Sequence, residues 1–171
     1  MKQDKRYVGR LHSLVNAFGV SMIKISEKVG VSLTFNKGGV CLGVSAPGSR
    51  VAALLSLYGE GAHGTITFFL SEKAFASYVN GMTGGMLFPD PEEPVAVSVA
   101  GELANMVSGN ALTTLSERGF SGLDITPPQL FVGTNIKSLR LPEDKMDTFT
   151  LPFYVGNDRE SIVHQVLLFR K

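Results

Sequence analysis

The sequence predicts an α/β domain with pseudo-twofold organisation, built around two equivalent long helices. Residues 11–29 and a second segment ending near Gly119 both have helical hydrophobic spacing, and each is followed by several strand-like segments. A faint internal repeat relates the two segments, because Ser13-Leu14-Val15-Asn16 aligns with Glu102-Leu103-Ala104-Asn105 at an offset of 102 − 13 = 89. Gly30 then aligns with Gly119 at the same offset, 119 − 30 = 89.

The first half is predicted to contain one helix and then strands. Apolar residues recur at three- and four-residue steps through residues 11–29, and Gly30 suits the C-terminal cap of that helix. The run Ala-Ala-Leu-Leu within residues 51–58 suits a helix as well as a strand. Strand candidates, the first two of which flank the turn at 36–39, are residues 31–35, 40–44, 51–58 and 64–70.

The second half repeats this order after a short connection. Ser71 is expected to cap a short helix that carries Phe75, Tyr78 and Val79, and residues 81–88 are expected to form a glycine-rich loop. The acidic stretch at 90–94, with its two prolines, predicts the start of the second long helix, because acidic residues favour the positive end of a helix dipole. Strands are predicted at residues 130–132, 137–141, 149–155 and 163–169.

Composition is that of an ordinary globular protein, and residues 1–171 are expected to form one domain. Hydrophobic residues make up 44% and charged residues 18%, and the net charge of +1 predicts neither a nucleic acid nor a membrane surface as partner. The polar start and the lack of a long apolar run predict a cytoplasmic location. Cys41 is alone, and His12, His63 and His164 lack companions at ligand spacing, so no metal site is predicted.

One face of the second long helix has a distinct chemistry. Ser98, Glu102, Asn105 and Gly109 follow one another at steps of four, three and four, within an arc of about 60° that lies outside the apolar stripe. A carboxylate and a carboxamide then lie side by side, and their small neighbours would let another molecule come close. The alternative interpretation is an ordinary solvated helix face, because such pairs also arise by chance.

Pro128 adds a fourth position to this pattern. Ser98, Glu102, Asn105 and Pro128 stand at the spacing Ser-x3-Glu-x2-Asn-x22-Pro. This resembles the signature Asp/Ser-x3-Glu-x2-Asn-x22-Pro of the CheC, CheX and FliY response-regulator phosphatases. The stretch from Gly101 to Ala111 resembles CheX-type helices in particular, and the resemblance covers the chain from about residue 11 to its end.

The resemblance implies a CheC/CheX-like fold in which two long helices cover one face of a mostly antiparallel sheet. It implies hydrolysis of the aspartyl phosphate of a CheY-like response regulator, with Glu102 and Asn105 catalytic and with Ser98, Gly109 and Pro128 at the partner surface. Mg²⁺ is then expected in the regulator and no cofactor in this chain. The resemblance also implies a homodimer built partly by sheet continuation.

Elementary chemistry suggests a role for each member of the pair. A carboxamide accepts and donates hydrogen bonds without carrying charge, which suits Asn105 to orient a hydrolytic water. A carboxylate is repelled by a phosphoryl group, so Glu102 is better suited to pair with the lysine of the regulator's active centre.

The first half departs from the CheC-like pattern of two Glu-x2-Asn helices. Ser13 stands where Glu102 stands in the second half, so that only Asn16 remains and one working site per chain is expected. Asn110 falls on the apolar side of the wheel, so it is expected to be buried and hydrogen-bonded. Two other functions stay open, a non-catalytic binding module of the chemotaxis or flagellar-switch type and a sensor with a ligand pocket away from residues 98–109.

Overall fold

The computed structural model describes residues 5–59, 62–136 and 146–170. The predicted strand at 137–141 lies outside the described residues. The helices are α1 (Lys5–Lys28), α2 (Glu72–Thr83) and α3 (Pro94–Glu117). The strands are β1 (Leu33–Phe35), β2 (Cys41–Leu42), β3 (Ser49–Tyr58), β4 (Gly64–Ser71), β5 (Asp124–Ile125), β6 (Gln129–Val132), β7 (Met146–Val155) and β8 (Asp158–Arg170).

Within the described ranges these strands form one antiparallel sheet, as the predicted fold class requires. The order is β1-β7-β8-β4-β3-β5, with β2 also on β7 and β6 also on β3. The ambiguous run is strand β3, in which Val51, Ala53 and Leu55 are buried on the face that the helices cover. The alternation of side chains between the two faces decides in favour of a strand at this run.

The two short strands that flank the turn at 36–39 do not pair with each other. Both lie antiparallel to β7, with Phe35 opposite Phe153 and Cys41 opposite Thr150. The turn between them is a short 3₁₀ segment, Lys37–Gly39. The second half does the same on β3, which pairs with both β5 and β6. Each half therefore supplies the outer strands of the other half.

The pseudo-twofold symmetry is visible in the helices. The helices end at equivalent residues, because Lys28 and Glu117 differ by 117 − 28 = 89. Both are followed by a glycine with positive φ, Gly30 at 80° and Gly119 at 85°. In both, the next amide donates to a carbonyl five residues earlier, Val31 to Ser26 and Phe120 to Leu115. The repeat predicted from sequence is thus a structural repeat.

The two long helices also touch at equivalent positions. The Ser21 hydroxyl donates to the Asn110 side-chain oxygen at 3.0 Å, and these residues are 110 − 21 = 89 apart. Equivalent residues can meet in this way only close to the pseudo-twofold axis. Asn110 is half-buried rather than buried as predicted, and the predicted hydrogen bond is present.

All three helices lie on one face of the sheet and share its main core. The largest fully buried side chains include Phe18, Phe75, Tyr78 and Leu103, which come from the three helices. The buried hydroxyls of Ser26 and Tyr78, 2.6 Å apart, share a hydrogen bond that ties α1 to α2. The opposite sheet face has a smaller cluster, made of Ala52, Phe69 and Val166 and covered by Val44, Ala46 and Ile136.

The connection between α2 and α3 differs from the prediction at its start. Helix α2 continues to Thr83, so Gly81 and its neighbours are helical rather than part of a loop. A Cβ at Gly81 would lie 2.6 Å from the Val29 carbonyl oxygen, so a glycine is needed where α2 passes the end of α1. Glu92 lies just before α3 and pairs with Arg50 at 3.0 Å.

Candidate functional site

Helix α3 presents the polar side chains that the sequence singled out. Ser98, Glu102 and Gly109 are exposed, and Asn105 is half-buried. The opposite side of the helix, including Val99, Leu103 and Val107, is buried in the core, as the helical wheel predicts. The helix is therefore fixed along its length while its polar arc faces outward.

The side chains of Glu102 and Asn105 have no partner among the described residues. No hydrogen bond or ion pair within those ranges involves either of them, although the two are neighbours on the helix surface, with Cβ atoms about 5–6 Å apart. Both groups are thus available to another molecule. Ser98 differs, because its hydroxyl donates to the Val95 carbonyl at 2.6 Å. This bond holds the Ser98 side chain against the helix, so that it does not project beside Glu102.

Pro128 lies beside the same part of the helix. A Cβ placed on Gly101 would lie 3.4 Å from Pro128 Cγ and 3.3 Å from Leu130 Cδ2, so both side chains lie directly against α3 one residue before Glu102. The segment is held to β3 by Thr126, whose amide donates to the Ser56 carbonyl and whose hydroxyl accepts from the Ser56 amide, each at 2.9 Å. Pro128 therefore forms part of the protein surface next to Glu102 and Asn105.

Gly101 has a packing role that the polar pattern of the helix did not predict. It is buried in the middle of α3, where a glycine costs about 1 kcal/mol relative to alanine. The absence of a side chain at Gly101 lets Pro128 and Leu130 pack closely against α3, because any side chain there would crowd them. A glycine inside a strongly helical pattern is the signal that could have indicated this close approach.

The first half does not reproduce this arrangement. Subtracting 89 from 98, 102, 105 and 128 gives residues 9, 13, 16 and 39, which are Gly, Ser, Asn and Gly. Asn16 is exposed on α1, and the Ser13 hydroxyl donates to the Gly9 carbonyl at 3.1 Å. Only the amide is shared between the halves.

A groove lies beside α1 in the first half. It has a volume of about 230 Å³ and a mostly apolar lining. His12 lines it where Gly101 stands in the second half, since 101 − 89 = 12. Its other lining residues are Val15, Asn16, Gly19, Val20, Ile23, Phe35, Leu151 and Phe153.

The remaining candidates for chemistry are isolated. Among the described residues, no group of three or more His, Cys, Asp or Glu side chains could hold a metal ion. Cys41 is a free, half-buried thiol in edge strand β2. His164 is buried on β8, and burial lowers the pKa of its imidazole to about 4. In the part of the chain that the structure describes, no helix is long and apolar enough to cross a bilayer.

Solved structures share this architecture. A CheC-like superfamily protein from Shewanella sp. PV-4 has a TM-score of 0.78 at 22% identity, covering 93% of this chain and 98% of that one. The chemotaxis protein CheX from Vibrio vulnificus has a TM-score of 0.77 at 21% identity, covering 91% and 98%. CheX in the CheX–CheY–BeF3–Mg²⁺ complex from Borrelia burgdorferi has a TM-score of 0.67 at 15% identity, covering 94% and 97%. The fold is thus that of CheC-like proteins.

A family model described as chemotaxis phosphatase CheX matches residues 51–153, which is more than half of the chain. The chain belongs to the CheX family. The matched range includes α3 with Glu102 and Asn105, and also Pro128. Among curated proteins compared by sequence, none matches.

Proposed function

We propose that this chain hydrolyses the aspartyl phosphate of a CheY-like response regulator by inserting the exposed arc of α3 into the regulator's active centre. The observation that carries the proposal is that Glu102 and Asn105 are accessible and unpartnered among the described residues, on a helix whose other face is locked in the core. Family membership supports the reaction, and the related CheX crystallised with CheY supports the class of partner.

Asn105 is the residue that we propose to act on the water. Hydrolysis of a phosphoryl group depends mainly on an in-line nucleophile and on charge stabilisation, with little covalent help from the protein. The carboxamide oxygen can accept a proton of the water while its nitrogen donates to another acceptor, so one side chain can fix the direction of attack.

Glu102 is proposed to bind the regulator rather than to act as a base. Glu102 is exposed, and an approach of its carboxylate to the anionic phosphoryl group would be repulsive. A lysine in the regulator's active centre offers the opposite charge, and a charge-assisted hydrogen bond to it would fix how the two proteins align. Ser98 and Gly109 contribute by being small on either side of the pair, and Pro128 by supporting it.

The cofactor and assembly follow from the same proposal. We propose that Mg²⁺ belongs to the regulator and that this chain supplies only side chains, and the presence of Mg²⁺ in the related CheX–CheY complex supports this. We propose that residues 1–171 act as one cytoplasmic unit. We also propose that two copies associate partly by sheet continuation, because unpaired strand edges favour pairing.

The direct test is the decay of a phosphorylated CheY-like regulator with and without this protein. Radiolabelled regulator should lose its phosphoryl group faster in the presence of catalytic amounts of the chain, and each tenfold acceleration requires only about 1.4 kcal/mol of barrier reduction. Tight binding of the phosphorylated regulator without any acceleration would instead indicate a non-catalytic binding module. Failure to bind or accelerate any such regulator would contradict both.

A further inference from the structure

A group of exposed apolar side chains surrounds the N-terminal half of α3. We call it the N-terminal apolar surface, and it consists of Met86, Phe88, Val95, Leu130 and Val132. The exposed fractions are 86% for Met86, 82% for Phe88 and 62% for Val95, and Leu130 and Val132 are about two-fifths exposed. Side chains of this kind that cluster at one place usually mark an interaction site.

Contacts place the two β6 residues near the start of the helix, and chain connectivity brings Met86 and Phe88 to the same end. Leu130 lies against Gly101, and β6 then runs towards the start of α3. There Gly133 donates to the Arg50 carbonyl, and the Arg50 side chain pairs with Glu92, two residues before the helix begins. Phe88 and Met86 belong to the segment that leads into this start. The end of β6 and the entry to α3 are therefore adjacent.

This surface is continuous with the Glu102–Asn105 pair. Val95 is seven residues before Glu102, which places it within about 20° of Glu102 around the helix and about 10 Å away along its axis. Leu130 contacts Gly101, the residue next to Glu102. On the other side of Asn105 the exposed arc continues through Gly109, Thr113 and Ser116, which are small or polar.

We infer that the regulator docks off-centre on α3, and that an apolar patch beside its phosphorylation site covers the N-terminal apolar surface. The inference rests on the proposed function. A stable interface buries about 800 Å² on each partner, far more than two side chains supply. A domain of about 100 residues has a radius of gyration near 13 Å, so one whose active centre lies on Asn105 also reaches Val95. Apolar and aromatic anchors supply most of the binding energy in such interfaces.

The binding experiment uses a CheY-like regulator loaded with beryllofluoride and Mg²⁺. The double variant Met86→Ser/Phe88→Ser is compared with the wild-type chain and with Leu42→Ser. Leu42 is a matched control, since it is 80% exposed but lies on β2 at the other edge of the sheet. The altered side chains are almost entirely in solvent, so the core is unaffected.

The double variant should raise the Kd at least tenfold while the dephosphorylation rate at saturating regulator stays within twofold of wild type. Leu42→Ser should change neither. A double variant that binds as tightly as wild type overturns the inference alone. The inference is also overturned if the double variant differs from wild type only in self-association, measured by sedimentation, because the surface would then join two copies of this chain. A wild-type chain that binds no loaded regulator overturns the proposed function, and this inference with it.

Discussion

The two halves of the molecule share a scaffold and differ in the surface that it presents. Helices α1 and α3 end at equivalent residues, have the same type of C-terminal cap and contact each other at equivalent residues. On α3 a Glu-x2-Asn pair lies next to Pro128 and Leu130, which pack against the helix. On α1 the counterpart is a lone Asn16, which lines a groove. Symmetry of the backbone therefore does not imply symmetry of function. The proposed chemistry depends on a few side chains and on the residues that support them.

The largest expected difference between the halves concerns the two equivalent amides. Asn105→Ala should reduce stimulated dephosphorylation at least about 100-fold, because a mispositioned nucleophile costs rate on this scale. Binding to the beryllofluoride-loaded regulator should persist. Asn16→Ala is the matched control and should behave as wild type. A reduced rate in both variants would mean that each half has a working site.

Placing a glutamate at position 13 tests whether a Glu-x2-Asn pair is sufficient for phosphatase activity. Ser13→Glu gives the first half a Glu-x2-Asn pair, and we expect no rescue when this change is made in the Asn105→Ala protein. The reason is the missing support, since His12 and Gly39 stand where Gly101 and Pro128 stand in the second half. In an otherwise wild-type chain, Glu102→Gln should weaken binding of the regulator about tenfold, because the proposed charge-assisted hydrogen bond is lost. Recovery of activity by Ser13→Glu would show that the pair alone suffices.

The support itself can be disturbed at Gly101. A valine there would force Leu130 and Pro128 away from α3, and the free energy of unfolding should fall by about 1–3 kcal/mol. Stimulated dephosphorylation should fall with it, because Glu102 is the next residue. Gly109→Val is the matched control for stability, since a Cβ at Gly109 meets no atom within 4 Å. Equal denaturation midpoints for the two variants would contradict the role assigned to Gly101.

The smallest expected difference between the halves concerns the two central strands and the pH dependence of stability. Strand β8 carries His164, whereas β4 has no titratable residue. Burial lowers the pKa of His164 to about 4 from an ordinary value near 6.5, so the unfolded chain takes up the proton more readily. The stability contributed by the neutral imidazole is complete above pH 6.5 and is lost as the pH falls towards 4. Chemical denaturation across this range should show the loss.

His164→Leu is the variant that isolates this effect. Its stability should depend less on pH between 6.5 and 4 than that of the wild-type protein, because no imidazole remains to be protonated on unfolding. An unchanged slope in His164→Leu would show that another group accounts for the loss.

Local patterns predicted the helices well, because each carries its own signals. The three- and four-residue spacing, the terminal glycines and the offset of 89 are all readable over short stretches, and the structure has the two helices that they indicate. The exposed arc with Ser98, Glu102 and Asn105 followed from the same periodicity. These features depend on neighbours in sequence, so one sequence suffices to find them.

Long-range packing could not be predicted in the same way. Strands β1 and β2 are three and two residues long, too short for their pairing partner to be encoded locally, and they pair with β7 more than 100 residues later. Gly101 owes its role to a strand segment that arrives from residue 128, and the contact of Asn110 with Ser21 needs both halves in place. Such contacts are decided by the closed fold.

The exchange of outer strands has a consequence for any half-length version of this protein. A chain that ended after β4 would keep β1 and β2 but lack β7, the strand that they flank, and its own β3 would have no neighbour on one side. Two identical half-chains could supply each other with the missing partners. A truncated half is therefore expected to be stable only as a pair of interlocked copies.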